Sequence, residues 1–108
     1  MDNREERQAL NEAAARDINE RLEDAHPTEP GNYIRLVCEC GREVCDRVIA
    51  ITPSEYEEIR SDAIQFAVVH DHVIGDIERV VFETDRYAVV AKREGIPAEV
   101  AVQEDPRA

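Results

Sequence analysis

The chain has no tryptophan, a single lysine at Lys92, one methionine and only four glycines in 108 residues. Aromatic residues make up 5%, so any core must be built mainly from Val, Ile, Leu and Ala. No run of apolar residues approaches membrane-spanning length, and the charged start Met1-Asp-Asn-Arg-Glu-Glu leads into no apolar leader segment. These absences predict a cytoplasmic protein without a membrane partner. Positive charge is scarce as well: 13 Lys and Arg stand against 25 Asp and Glu, for a net charge of −12. Such a field repels phosphate backbones and disfavours general nucleic-acid binding, which leaves protein as the expected partner. Glycine-rich phosphate loops, G-x-S-x-G, H-E-x-x-H and the H-x-E with P-C-x2-C signature of zinc deaminases are all missing. No catalytic residue and no organic cofactor is predicted.

What is present is concentrated. All three cysteines fall in one segment, Cys38-Glu-Cys40-Gly-Arg-Glu-Val-Cys45. An odd number of thiols in a reducing compartment does not form a simple disulfide framework. Residues i and i+2 at a strand end point to one face, so Cys38 and Cys40 can approach one ion. Gly41 lets the chain turn, and Cys45 returns from the start of the next strand. Glu39, Arg42, Glu43 and Asp46 make this a poor setting for inert core thiols. The segment therefore reads as a metal knuckle, with zinc expected and iron as the alternative. A fourth donor must be a histidine, and spacing alone leaves His26, His70 and His72 equivalent. With three protein ligands and water, Glu39 or Glu43 could serve as general base of a zinc enzyme. With four ligands the site is closed and structural. A thiol cluster that loses zinc on oxidation is a third reading.

Periodicity predicts an amphipathic helix over about residues 1–25, with Leu10, Ala14, Ile18 and Leu22 as its apolar stripe. That thin stripe would dock on the domain, bind a partner, or pair with a second copy in a homodimer. Acid-first pairs Glu12–Arg16 and Asp17–Arg21 would support an exposed face. Strands are expected over Tyr33–Cys38, Val44–Ile51 and Phe66–Val69, and in a hairpin from Ile77–Glu83 to Arg86–Lys92. Thr52-Pro-Ser-Glu55 predicts a capped short second helix. The fold class is α+β: one small zinc-binding domain over 1–93 with an antiparallel sheet of about four or five strands, then a fraying acidic tail over 94–108.

Several stretches carry a family resemblance: Asn11-Glu-Ala-Ala-Ala-Arg-Asp-Ile-Asn19-Glu20, Cys38-Glu-Cys40 with Cys45, Thr52-Pro-Ser-Glu-Tyr-Glu-Glu-Ile-Arg60, Phe66-Ala-Val68, Glu78-Arg-Val-Val-Phe-Glu83 and Tyr87-Ala-Val-Val-Ala-Lys92. Up to about residue 93 the chain resembles a family of small uncharacterised bacterial proteins, mainly actinobacterial, with a C-E-C-x4-C knuckle and a downstream histidine. The resemblance puts that histidine at His72 and implies a Cys38, Cys40, Cys45, His72 zinc site. The chain departs from the pattern at Asp71, where the family usually has glycine, and in its extra His70. The resemblance implies no activity. The resulting functional expectation is a non-catalytic interaction or regulatory module with a structural Cys3His zinc site.

Overall fold

In a computed structural model, residues 4–25, 31–42, 45–73, 75 and 77–107 are described. The order of elements is α1 (Arg4–Ala25), β1 (Ile34–Val37), β2 (Val48–Ile51), α2 (Pro53–Ile59), β3 (Gln65–Val68), a 3-10 turn (His70–His72), β4 (Glu78–Glu83), β5 (Ala88–Lys92) and α3 (Ile96–Gln103). The α+β expectation holds, with five antiparallel strands divided between two sheets. β1 and β2 form one, in register Ile34↔Ile51 and Val37↔Val48. The other has the order β3-β5-β4, with Phe66 opposite Val90 and Glu78 opposite Lys92.

Local chemistry explains most of these elements. β2 alternates exposed and buried residues, which turns Ile49 and Ile51 into the core. β5 is buried along its whole length because it lies between two strands and under helices, so its Ala-Val-Val-Ala run lacks alternation. α2 starts on a complete capping box: Glu55 N–H donates to Thr52 Oγ1 at 3.1 Å, and Thr52 N–H donates to Glu55 Oε1 at 2.9 Å.

α1 docks mainly on a face other than the expected one, and of the predicted stripe Leu22 packs against the core. Leu10 and Ile18 are 43% and 48% exposed, and Ala14 is exposed beside them. The face turned inward carries Ala9, Glu12, Ala13, Arg16 and Asn19, and the three polar residues are fully buried. Glu12 does not pair with Arg16. Its carboxylate joins Glu78 in flanking the Lys92 ammonium. Arg16 donates to the carbonyls of Ala63 at 2.6 Å and Ala101 at 2.7 Å and lies 4.7 Å over the Phe66 ring. Glu12 thus meets an opposite charge and Arg16 two hydrogen-bond acceptors, which offsets the cost of burying them, although Glu12 Oε1 and Arg16 Nε have no hydrogen-bond partner among the described residues. The Asp17–Arg21 pair does form on the outer face, at 3.1 Å.

The segment expected to fray also folds. α3 begins after Gly95 with Pro97 in its first turn and buries Pro97, Val100 and Ala101. Beyond it, Asp105 pairs with Arg60, and Arg107 spans Glu20 and Glu57 through bonds of 2.6–2.9 Å. The tail is held by helix burial and by charges that cross from α1 and α2. No helix among the described residues is long and apolar enough to cross a membrane.

Candidate metal centre

β1 carries the chain into the knuckle. Its ladder continues one step past Val37, where Cys38 N–H donates to Arg47 O at 3.0 Å. Cys38 and Cys40 then turn to one side and are buried, at 5% and 1% exposure. Gly41 makes the reversal at φ +76°, a conformation that favours glycine. Glycine is required there a second time: a Cβ at this position would lie 2.4 Å from Glu12 Cγ and 2.7 Å from Gln8 O. The knuckle is pressed directly against α1. Cys45 N–H closes a turn on Arg42 O at 3.3 Å and brings the third sulfur back.

His72 arrives from the other sheet. The 3-10 turn after β3 is held by His72 N–H donating to Val69 O at 3.0 Å. It sets His72 Nδ1 at 3.6 Å from Cys38 Sγ and 3.4 Å from Cys45 Sγ. One donor atom from each of Cys38, Cys40, Cys45 and His72 lies within 4.8 Å of the others. Zinc bonds of about 2.3 Å to sulfur and about 2.0–2.1 Å to nitrogen give tetrahedral edges of roughly 3.5–3.8 Å, so the sulfur–nitrogen spacings already match. The cluster that the sequence singled out is assembled in full.

The rival donors lie elsewhere. His70 Nε2 meets Thr84 O at 2.6 Å, which turns that ring towards the β4–β5 hairpin. His26 and Glu43 fall outside the described residues. Asp71, weighed as an orienting partner for His72, is exposed and shows no bond to it among the described residues.

Glu39 is not placed to act as a base. As the residue between two cysteines of one extended segment, it points away from them. It is fully buried. Its Oε2 accepts from Asn19 Nδ2 and Tyr56 OH, each at 2.8 Å, and its Oε1 accepts from Ala67 N–H at 2.9 Å. Glu39 N–H in turn donates to Ala67 O at 2.9 Å. One side chain therefore ties the knuckle to α1, α2 and the edge of β3. Burial raises its pKa above the ordinary carboxylate range, and the three donors oppose that rise.

Electrostatics favour a cation among the thiols. Burial pushes the Cys38 and Cys40 thiols up, and in Cys38 the neighbouring sulfurs add to the rise. Three thiolates so close repel one another unless a positive ion lies between them. Thiolates and an imidazole suit zinc, and the donor set fits it.

The polar face of α1 escaped the sequence reading, because Glu12, Arg16 and Asn19 look like ordinary surface residues. One signal was available. Their spacing of four and three places all of them on one helical face with Ala9 and Ala13.

Compared with models of protein families, with curated proteins and with solved structures, the chain matches none of them.

Proposed function

We propose that the protein is a non-catalytic interaction module whose fold is fastened by a structural zinc ion held by Cys38, Cys40, Cys45 and His72. The observation that carries this reading is the convergence of three sulfurs and one imidazole nitrogen from two different sheets. Four protein donors fill a tetrahedral shell and leave no position for a reacting water. The acidic residue nearest in sequence, Glu39, has both oxygens engaged with other donors, which supports the same conclusion.

When bound, the ion would supply a cross-link between the knuckle and the turn after β3. Work with other molecules would then fall to the surface. Candidate contact residues are Leu10 and Ile18 on α1, and Val80, Val81 and Phe82 on β4, all large apolar side chains open to solvent. The kinship implied by the sequence resemblance, to small bacterial proteins with the same knuckle, fits this reading.

The test is metal removal. Structural zinc contributes on the order of 10 kcal/mol of apparent folding free energy, as much as a domain of this size has in total. A strong chelator should unfold the purified protein or lower its melting temperature by tens of degrees, and added zinc should restore it. Unchanged far-UV circular dichroism and melting after complete metal removal would overturn the proposal.

A further inference from the structure

The four donors are not equally sheltered. Cys38 and Cys40 are buried, whereas Cys45 and His72 are half-buried. Val69 N–H donates to Cys38 Sγ at 3.3 Å, which further shelters that sulfur. Burial blocks approach to Cys38 and Cys40, so the half-buried Cys45 is the sulfur most open to an incoming reactant.

Access is also shaped. A groove of about 370 Å³ runs between α1 and the knuckle and opens on Cys38 and Cys45. Ala14, Ala15, Ile18 and Val37 supply its apolar wall, and Arg42 is the one charged residue in the lining. Ala14 and Ile18 belong to the stripe that α1 leaves unburied. The groove is suited to a small, largely apolar molecule rather than to a strongly hydrated one.

We propose that Cys45 is an oxidation site whose reactant is a small apolar hydroperoxide seated in this groove. The idea rests on the metal reading, because metal ligation keeps the sulfur a nucleophilic thiolate. The Cys45 sulfur attacks the distal peroxide oxygen. An S–O bond forms, the O–O bond breaks, and the alkoxide leaves as an alcohol after taking a proton from water. Cys45 becomes a sulfenic acid. A neighbouring thiolate, Cys38 or Cys40, then attacks the Cys45 sulfur. The S–S bond forms and the S–O bond breaks, and hydroxide departs. Two thiolates lose two electrons in total, and the peroxide gains them. Two of the four metal donors are consumed, so zinc is released.

The test uses the full chain loaded with zinc, its metal content measured first. A chain that takes up no zinc refutes the structural-zinc reading. A loaded chain is exposed to one equivalent of cumene hydroperoxide or of hydrogen peroxide. Zinc release is followed with an indicator dye, and early products are trapped with dimedone and mapped by peptide mass spectrometry. Cys45 should carry the first modification, read as the dimedone-trapped sulfenic acid. Cumene hydroperoxide should react about tenfold faster than hydrogen peroxide, the gain expected from burying a few apolar carbons in the groove. Cys45→Ser removes a metal donor and tells little alone, so Ala14→Trp is the informative variant. It fills the groove from an exposed helix position, and should slow cumene hydroperoxide more than hydrogen peroxide, so that the roughly tenfold preference for the apolar reactant is lost. A first modification at Cys38 or Cys40, thiols inert until the protein unfolds, or an Ala14→Trp protein as fast as the parent overturns the proposal.

Discussion

At the scale of single residues, two side chains decide what the knuckle is. His72 brings an imidazole nitrogen to within 3.6 Å of two sulfurs, while His70, two places earlier, meets the Thr84 carbonyl. The account predicts that His70→Ala binds one zinc per chain as the parent does. His72→Ala should lose more than the 10–100-fold typical of removing an outer partner, as read by competition with a calibrated chelator. Glu39 is the second. Replacing it with alanine strands the Tyr56 hydroxyl and the Ala67 N–H in the interior, while Asn19 keeps its bonds to the Val37 backbone, and should cost about 2–4 kcal/mol in urea unfolding at saturating zinc, with the metal still bound. Loss of zinc without loss of stability would show that Glu39 serves the ion and not the fold. The ligand cysteines were legible because their spacing is itself the geometry of a strand end and a turn. Histidine spacing carried no such information, and only the arrangement of β3 and its following turn separates His70 from His72.

At the scale of elements, α1 shows how an apolar pattern can mislead. Leu10, Ala14 and Ile18 recur as a core stripe would, yet the helix turns Glu12, Arg16 and Asn19 inward. The reason lies in what it meets. Lys92, Glu39, the Ala63 and Ala101 carbonyls and the Phe66 ring present charge and hydrogen-bonding groups, and only polar side chains satisfy them. Long-range partners of this kind cannot be read from one helix. The face can be tested by substitution: Leu10→Lys and Ile18→Lys should each change stability by no more than about 0.5 kcal/mol, whereas Arg16→Ala should cost about 3–5 kcal/mol. The opposite ranking would restore the apolar stripe as the docked face. The start of α2 was legible to the residue, because its capping box is local. The same Glu55 pairs with Arg86 at 2.7 Å, and Arg86 holds its carboxyl down at about 2, against an ordinary 4.5. A depressed carboxylate contributes stability that is complete above pH 4.5 and is lost as pH falls through about 2. Glu55→Gln keeps the cap and loses the charge pair. It should cost about 1–2 kcal/mol at pH 7, and the difference from the parent should shrink to nothing near pH 2.

At the scale of the molecule, one kind of fastening is visible in a small core with few aromatic residues, and a second is proposed. The visible one is the set of charges that crosses between distant segments, and the tail is its clearest case. Ala101, Asp105 and Arg107 reach Arg16, Arg60, Glu20 and Glu57, so residues 94–107 complete the acidic surface of α1 and α2. The acidic composition of this segment suggested a solvated end, because its partners lie up to 87 positions away in sequence. A chain ending at Arg93 leaves Arg16 and Arg60 buried with fewer partners and should unfold about 3–5 kcal/mol more easily. Equal stability of the shortened chain would make α3 an ornament. The proposed second fastening is the Cys38, Cys40, Cys45 and His72 centre, and on it the account stands. Zinc-edge X-ray absorption on the purified protein tests it most directly. Three sulfurs at about 2.3 Å and one nitrogen at about 2.0–2.1 Å, with no further light atom, are predicted. A shell with fewer than three sulfurs, or with an additional oxygen, would contradict it.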